Sequence, residues 1–189
     1  MYNLIIDSST KILYVALVDE NNILFEKYIE GRNDHAKNIV KTVDDALKSV
    51  NIDAFKLDKV IVGYGPGSYT GVRMAVTVAK MLAIFANVKL YTISTLRLMQ
   101  SAKKGVVKAT IDARRGNAFA SVFDMDKNEY VINEGLYSYE ELKDYQEEVK
   151  EDDFKVNPFY VVLNSNEVSE PHLLVPNYLR DTEAERNLK

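Results

Sequence analysis

Apolar and polar residues alternate along the first part of the chain in the manner of short β-strands. The segments YNLIID, ILYVALVD and NILFEKYI lie within residues 2–29 and are separated by polar turns, so they predict three strands. The period becomes helical in RNDHAKNIVKTVDDALKSV, which predicts a helix with Asn33 or Asp34 as its N-cap. The apolar stripe of this helix comprises Ile39, Val40, Val43, Ala46, Leu47 and Val50.

The following segments predict two further strands and two helices. LDKVIVGYG predicts a buried strand that leads into a glycine-containing loop, and the apolar segment after the loop predicts a helix over residues 70–85. A strand over 89–93 and a helix over 94–100 follow. The predicted order of the first half is therefore β-β-β-α-β-α-β-α.

The second half of the chain repeats this pattern. VVKATIDARRGNAFASVFDMDKNEYVINEG aligns with NLIIDSSTKILYVALVDENNILFEKYIEG, and in both segments the first strand ends in Ile-Asp, at Asp7 and at Asp112. YSYEELKDYQEE then predicts a helix capped by Ser138, and FYVVLN predicts a fourth strand. No long apolar helix or fifth strand follows in the sequence, so we expect a shortened copy. A coincidence between two β-meanders is the alternative.

The predicted fold class follows from this duplication. We expect an α/β fold with two mixed β-sheets, each built on a β-β-β-α-β-α unit, and a truncated second half. The polar stretch KKG is the predicted boundary between a first half over residues 1–102 and a second half over 103–189.

The predicted helix over residues 70–85 is apolar on almost every side. One apolar line is expected to pack on the helix's own sheet: Val72, Val76, Ala79, Ala83 and Ala86. A second apolar line remains beside a narrow polar one: Met74, Val78, Met81 and Phe85, beside Arg73, Thr77 and Lys80. Burying each such side chain contributes about 1.5–3 kcal/mol, so we expect the second line to be covered by a partner protein. Another helix of this chain is the alternative.

The glycine-containing loop before this helix matches neither of two common phosphate-binding patterns. A P-loop needs a lysine followed by a hydroxyl residue after its last glycine, where this chain has Val72 and Arg73. The glycine spacing is also one residue too long for a dinucleotide-binding loop. We therefore expect a structural loop made by Gly65, Pro66, Gly67, Ser68, Thr70 and Gly71, with Ser68 or Thr70 capping the helix. Anion binding at the helix start is the alternative.

Composition narrows the classes of function. The 189 residues carry a net charge of −4, which argues against a surface that binds nucleic acid by itself. The chain contains no cysteine, so neither disulfides nor a thiolate zinc site are expected. The short apolar run at the N-terminus is interrupted by Asp7 and predicts neither a signal peptide nor a membrane span, which leads us to expect a cytoplasmic protein.

Four motifs resemble one bacterial protein family. They are LIIDSST, GPGSYTGVRMAVTVAKMLA, TIDARRGNAFA and PNYLR, and Asp34-His35 also fits the family's pattern. The family is TsaB, also called YeaZ, and its fold is similar to that of the actin, Hsp70 and sugar-kinase superfamily, whose two ribonuclease H-like halves close over ATP. The chain is shorter than typical members, and the missing part lies in the second half.

The resemblance implies a non-catalytic subunit in the synthesis of threonylcarbamoyladenosine on tRNA. Such a subunit binds and orders the catalytic TsaD subunit, and the P-loop ATPase TsaE joins the assembly. ATP is then used by the complex, and no cofactor is bound by this chain alone. The tRNA is contacted indirectly, and a homodimer is expected when the partner is absent. The expected partner interface comprises His35, Ile39, Val43, Arg73, Met74, Val78, Met81 and Phe85.

The superfamily's phosphate-binding turns correspond here to residues 7–10 and 112–116. The first of these turns contains no glycine, and the second contains two arginines, Arg114 and Arg115, before its glycine. Non-glycine residues resist the torsions of a tight phosphate loop at a cost of about 1–3 kcal/mol each, so a phosphate cradle is not expected. Asp7 and Asp112 are expected to accept hydrogen bonds within their own turns rather than to act in catalysis.

A metal site is not expected either. The catalytic relative TsaD holds a metal through closely spaced histidines, whereas this chain has only His35 and His172, in different halves. His35 is expected at a helix end or an interface, and His172 in a loop.

Two alternative functions remain open at this point. In the first alternative, the chain is a stand-alone ATPase, kinase or metallohydrolase of the superfamily. In the second, it contacts tRNA directly through basic residues of the second half, namely Lys103, Lys104, Lys108, Arg114 and Arg115.

Overall fold

The computed structural model describes residues 1–31 and 35–179, without the side chains of residues 35–37. The predicted N-cap at Asn33 or Asp34, the side chain of His35 and the charged tail from Arg180 onwards therefore lie outside the described residues. The first half has the predicted order of elements: β1 (Asn3–Asp7), β2 (Ile12–Val18), β3 (Ile23–Glu30), α1 (His35–Ser49), β4 (Lys59–Gly63), α2 (Tyr69–Phe85), β5 (Lys89–Ile93) and α3 (Thr95–Gln100).

These strands form a mixed sheet. β1 pairs antiparallel with β2 and parallel with β4, while β2 and β3 pair antiparallel and β4 and β5 pair parallel. The hairpins β1–β2–β3 follow from the short polar turns between them, whereas the parallel strands β4 and β5 are joined through α2. A short strand from the second half completes the six-stranded order β10-β5-β4-β1-β2-β3.

The second half contains a smaller version of the same sheet. Its elements are β6 (Val106–Asp112), β7 (Asn117–Asp124), β8 (Glu129–Ser138), β9 (Glu148–Lys150), α4 (Pro158–Asn164) and β10 (Asn166–Glu167). The order β8-β7-β6-β9 repeats the order β3-β2-β1-β4 of the first sheet, and β9 is parallel to β6 as β4 is to β1. The predicted duplication with a truncated second copy is confirmed.

The predicted helix in YSYEELKDYQEE is wrong, because residues 139–144 form turns. Ser138 and Glu141 do exchange the hydrogen bonds of a capping box, since the Glu141 carboxylate accepts from Ser138 N at 2.7 Å and Ser138 Oγ accepts from Glu141 N at 3.4 Å. Leu142 is the fully buried residue of this segment, and the positions four residues to either side, Ser138 and Gln146, are polar. One fully buried side chain, with the partly buried Tyr145 beside it, does not stabilise a helix against its nucleation cost.

The predicted fourth strand FYVVLN is also wrong, since Pro158–Asn164 is the helix α4. Asn157 caps this helix by accepting a hydrogen bond from Tyr160 N at 3.2 Å, and Pro158 occupies its first turn. Asn followed by Pro is a helix-start signal that the apolar run after it concealed. The place of the fourth strand is taken by the three-residue β9.

The two faces of the first sheet are covered differently. Helices α1 and α2 pack on one face, where side chains such as Leu4, Val15 and Val62 are fully buried. The other face packs against α3, α4 and the second sheet in a core shared by both halves. The predicted division at residues 102 and 103 is not tested by this packing and stays a prediction. No helix among the described residues is long and apolar enough to cross a membrane.

After α4 the chain returns to the first half. β10 pairs antiparallel with β5, and Asn177 N donates to the Tyr64 carbonyl at 2.7 Å. Lys80 Nζ donates to the carbonyls of His172 and Leu174 at 2.8 and 3.2 Å. The segment that includes part of the PNYLR motif is therefore attached to α2 and to the loop before it.

Candidate functional site

Helix α2 buries the apolar line that the sequence assigns to its sheet. Val72, Val76 and Ala79 are at most 3% exposed, and Ala83 and Ala86 are also buried. Small residues at three of these five positions let the helix backbone lie close to the sheet. This part of the helix prediction is confirmed.

The second apolar line of α2 faces outward. Met81 is 52% exposed and Phe85 is 76% exposed, and Met74 and Val78 are half-buried. We call this region the α2 surface and define it by Met74, Val78, Met81 and Phe85 together with the exposed neighbours Val40, Tyr69 and Ile84. Contiguous apolar side chains exposed in this way mark interaction sites more often than isolated ones do.

A groove of about 430 Å³ runs between α1 and α2 within the α2 surface. Its walls are apolar apart from two threonines and Arg73: Ile39, Val40, Tyr69, Thr70, Arg73, Met74, Thr77 and Val78. Arg73 Nη1 donates to the Tyr69 hydroxyl at 2.6 Å, and its guanidinium lies 5.1 Å from the Tyr69 ring centroid. The tyrosine thereby holds the cation at the rim of an apolar groove.

The predicted interface residues divide into accessible and inaccessible ones. Val43 is 5% exposed and belongs to the core under α1, so its assignment to the interface is corrected. Ile39 is 1% exposed and belongs to the same core, but it also lines the groove, so its assignment stays a prediction. Both were chosen from the stripe of α1, and that stripe is what packs on the sheet. Val40 was assigned to the same stripe but is 61% exposed, because it lies beyond the edge of the sheet-facing side.

Three residues of the α2 surface were missed by sequence reasoning. Tyr69 and Ile84 are 48% and 54% exposed and flank the predicted line at its two ends, and Val40 adds to it from α1. The signal for Ile84 was present in the sequence, since it lies next to Phe85 and three residues after Met81. Tyr69 lies outside the predicted helix over residues 70–85, whereas the observed helix begins at Tyr69.

The glycine loop packs directly on the turn at residues 7–10, the first of the two turns that the resemblance compares with phosphate-binding turns. A Cβ atom added to Gly71 would lie 2.0 Å from the Ser8 carbonyl oxygen, and one added to Gly67 would lie 2.2 Å from the Ser9 carbonyl oxygen. Ser68 N donates to the Ser9 carbonyl at 2.7 Å, and Ser8 Oγ donates to the Gly71 carbonyl at 2.7 Å. The glycines are required for this close backbone contact, which supports the prediction of a structural loop.

Ser68 rather than Thr70 caps α2. Its hydroxyl accepts a hydrogen bond from Gly71 N at 3.3 Å, and its backbone carbonyl accepts from Val72 N at 2.9 Å. Because the loop and the helix start cover it, the turn at Asp7, Ser8 and Ser9 is fully buried. As arranged here, this turn does not fit a phosphate group.

Asp7 is buried at the centre of this contact. Its carboxylate accepts hydrogen bonds from Ser9 N and from Thr95 Oγ1, both at 2.7 Å, and Thr95 Oγ1 in turn accepts from Gly65 N at 3.2 Å. Burial raises the pKa of the Asp7 carboxyl from 3.8 to about 6, although these hydrogen bonds oppose the increase. The predicted hydrogen bonding of Asp7 within its own turn is confirmed, and the carboxyl also joins the turn to α3.

The raised pKa of Asp7 predicts a defined pH dependence of stability. Because the folded state binds the Asp7 proton more tightly than the unfolded state, the Asp7 contribution to the free energy of unfolding is complete below pH 3.8. It falls as the pH rises towards 6, by up to about 3 kcal/mol. Asp7→Asn has no titrating group at this position, so its free energy of unfolding does not contain this pH-dependent loss. The difference in free energy of unfolding between Asp7→Asn and the wild type, measured by urea unfolding, should therefore shift in favour of the variant by up to this amount between pH 4 and 7. Asp112→Asn controls for the loss of one carboxylate, and a pH-independent difference for Asp7→Asn would contradict the prediction.

The second of these turns differs from the first in being exposed. Asp112 Oδ1 accepts from Arg114 N at 2.8 Å, which confirms the predicted hydrogen bond within its own turn. Arg114, Arg115 and Gly116 all have positive φ angles of 65°, 56° and 78°. The two arginines adopt the left-handed backbone that the sequence analysis considered costly for a non-glycine residue.

The basic residues of the second half do not form one patch. Lys108 is only 8% exposed, donates to the Leu142 carbonyl at 3.3 Å and lies 3.8 Å from the Glu148 carboxylate, so its assignment to a tRNA surface is corrected. Lys103 is paired with Glu147 at 2.7 Å. Lys103 precedes and Arg114 follows the seven-residue strand β6, which is about 20 Å long.

His172 lies in the short 3-10 helix Pro171–Leu173, as a loop residue would, with its Nε2 atom 3.7 Å from Glu170. Among the residues described by the structure, no three His, Cys, Asp or Glu side chains are grouped so that they could hold a metal ion.

Comparisons with known proteins give one family model and several curated relatives, all named for the threonylcarbamoyladenosine modification of tRNA. Residues 29–163 match the family model TsaD, described as tRNA N6-adenosine threonylcarbamoyltransferase. The protein is 31% identical over 123 residues to the tRNA threonylcarbamoyladenosine biosynthesis protein TsaB of Bacillus subtilis, covering 64% of this chain and 54% of that protein. It is also 31% identical over 130 residues to TsaB of Escherichia coli, covering 66% and 56%. The chain thus spans about half the length of the curated relatives it matches.

Two solved structures are similar. YeaZ from Pseudomonas aeruginosa is 25% identical, with a TM-score of 0.64 over 72% of this chain and 66% of that chain. An uncharacterized protein described as similar to peptidase YeaZ from Pseudomonas aeruginosa is 21% identical, with a TM-score of 0.77 over 95% of this chain and 99% of the other, which shows the fold. Because the family model matches well over half of the chain and the curated relatives are TsaB proteins, this chain belongs to the TsaB/YeaZ family.

Proposed function

We propose that the protein is a non-catalytic scaffold and activator in the synthesis of N6-threonylcarbamoyladenosine at the adenosine beside the tRNA anticodon. In this role it binds the catalytic TsaD subunit and orders its active site. The relatives in Bacillus subtilis and Escherichia coli are named for the biosynthesis of this modified nucleoside. The observation that carries the proposal is the exposed α2 surface.

The α2 surface supports a protein partner on energetic grounds. Met81, Ile84 and Phe85 are each more than half exposed in the free chain. These side chains remain in contact with water after folding. Burying them against a partner would stabilise the complex by about 25 cal/mol for each Å² of apolar surface removed from water. Aromatic and methionine side chains are enriched at the centres of such interfaces. When TsaD is absent, the same surface can pair two copies of this chain as a homodimer.

The burial of the first turn supports a chain that binds no ATP by itself. The Ser8 and Ser9 backbone lies under Gly67 and Gly71, so the turn at residues 7–10 is not open to a phosphate group. In this proposal ATP is used by the assembled complex, which includes the ATPase TsaE, and the tRNA is contacted through the complex. The protein functions in the cytoplasm, where tRNA is modified.

Co-elution tests the proposal directly. The protein and the TsaD of the same organism are mixed and passed over a size-exclusion column, and threonylcarbamoylation of tRNA is then measured with and without this chain. We expect a complex of the two proteins and a reaction that depends on the chain. If TsaD elutes alone and its activity is unchanged by the chain, the proposal fails.

A calorimetric titration separates the proposal from a stand-alone enzyme. ATP with magnesium added to the purified chain should give no binding at micromolar concentrations, because the buried first turn cannot receive the phosphates. The P-loop ATPase TsaE serves as the positive control under the same conditions. Micromolar binding or nucleotide turnover by the isolated chain would instead support an ATPase or kinase.

A further inference from the structure

A second cleft lies between the two halves, and its lining includes no residue of the α2 surface or of the turns at residues 7–10 and 112–116. It has a volume of about 320 Å³, which is within the range of small-molecule sites. The first half contributes Ser94 and Arg97 from the start of α3, and the second half contributes Phe123, Tyr130 and Glu134. Asn164 and Asn166, on either side of the junction between α4 and β10, complete one wall.

The cation in this cleft is buried without an anionic partner. Arg97 is only 8% exposed, and its guanidinium lies 3.0 Å from the centroid of the Phe123 ring. Among the described residues its hydrogen-bond acceptors are uncharged: Asn128 Oδ1 at 3.2 Å, Met125 Sδ at 3.6 Å and the Tyr160 hydroxyl. Burial lowers the pKa of Arg97 to about 10, so it remains charged at neutral pH. Buried charges in proteins are normally paired, and this one retains unused donors.

The anion in the cleft stands apart from that cation. Glu134 accepts hydrogen bonds from the Tyr130 hydroxyl at 2.9 Å and from Asn177 Nδ2 at 3.5 Å. It is near enough to Arg97 for its charge to raise the pKa of the guanidinium, yet the acceptors of the guanidinium among the described residues are Met125, Asn128 and Tyr160. The nearby Ser94 hydroxyl is buried and has no hydrogen-bond partner among the described residues. Two opposite charges and an unpaired hydroxyl thus surround the same space.

We propose that this cleft binds a small zwitterion of the free α-amino acid class. The carboxylate of the ligand contacts Arg97, and its ammonium group contacts Glu134. A guanidinium binds a carboxylate through two parallel N–H donors, which accounts for an arginine in this position. A phosphate ester would meet the negative charge of Glu134, and a simple cation would meet the positive charge of Arg97. The amides of Asn164 and Asn166 can donate to or accept from a polar side chain of the ligand.

This site is independent of TsaD binding and of the proposed function. Isothermal titration calorimetry on the full chain, with the proteinogenic L-amino acids added one by one, tests it. We expect at least one of them to bind with a dissociation constant below about 1 mM, a range that calorimetry resolves. Propionate, which has the carboxylate but no ammonium group, should bind at least tenfold more weakly than that amino acid.

Variants locate the binding within the chain. Glu134→Gln should weaken the same amino acid at least tenfold, whereas Glu129→Gln, an equal change of charge on the same strand, should not. Arg97→Lys keeps the charge but loses the paired donors and should also weaken binding. If Arg97→Lys does not fold, the comparison of Glu134→Gln with Glu129→Gln decides. The proposal is overturned if no amino acid binds, if propionate binds equally well, or if Glu134→Gln has no effect.

Discussion

Replacing Met81 with glutamate and Phe85 with lysine in the same chain should abolish co-elution with TsaD. Both side chains are more than half exposed, and each contributes about 1.5–3 kcal/mol when buried against a partner. Together they account for an affinity loss of about 100-fold or more, since 1.4 kcal/mol corresponds to a factor of ten. Val78 is left unchanged because it also packs against the core of the first half.

The pair is chosen so that the free chain keeps its stability. Glutamate and lysine four residues apart stabilise a helix by about 0.2–0.5 kcal/mol, and lysine in the last turn of α2 favours the helix dipole. Leu163→Lys, which removes an 83% exposed apolar side chain from α4, is the matched control and should leave co-elution unchanged. Circular dichroism and urea unfolding verify the fold of each variant. A folded double variant that still co-elutes with TsaD would exclude the α2 surface as the interface.

Gly71→Ala should destabilise the protein by about 2–3 kcal/mol, near the upper end of the cost of overpacking a core. Alanine is favoured over glycine inside a helix by about 1 kcal/mol. The substitution would therefore raise the stability of the protein if the added Cβ atom met no other atom. Here the new Cβ atom would lie 2.0 Å from the Ser8 carbonyl oxygen. Neither atom can move by rotation of a side chain, because the Cβ is fixed to the helix backbone and the oxygen belongs to the backbone of the first turn. The overlap therefore forces the loop away from the first turn, as overpacking in a core does.

Gly105→Ala provides the contrast to Gly71→Ala. Gly105 has a φ of 66° with no atom within 4 Å of the added Cβ, so the cost is limited to backbone strain of about 1–2 kcal/mol. Urea unfolding midpoints of the two variants and the wild type should fall in the order wild type, Gly105→Ala, Gly71→Ala. A Gly71→Ala midpoint at or above that of the wild type would show that the loop does not rest on the first turn in solution.

The first half could be predicted almost completely from the sequence. Each of its segments has a clear period and a polar or glycine-containing boundary, so the predicted and observed elements agree, with β5 at residues 89–93 as one example. The second half was harder because its short segments carry conflicting signals. Pro158 begins a helix whose apolar residues also fit a strand, and Leu142 alone does not stabilise the helix that the Ser138 capping box predicts.

The candidate sites were predicted unevenly for a similar reason. Periodicity identified Met81 and Phe85, because a helix that is apolar all round must have an outer face. It did not distinguish Val40 from Ile39, since the two are adjacent on α1 and differ only in their position relative to the edge of the sheet. The cleft around Arg97 and Glu134 left no signal in the sequence, because its residues come from segments far apart in the chain.

The sequence by itself determined the local elements of the first half, the duplicated pattern and the apolar character of α2, because these properties depend on neighbours within a few residues. Only the tertiary structure decided that the chain returns from α4 to pair with β5, that the glycine loop buries Asp7, and that two opposite charges face one cleft. These features depend on contacts between residues distant in sequence, and such contacts are set by how the two sheets pack rather than by the period of any one segment.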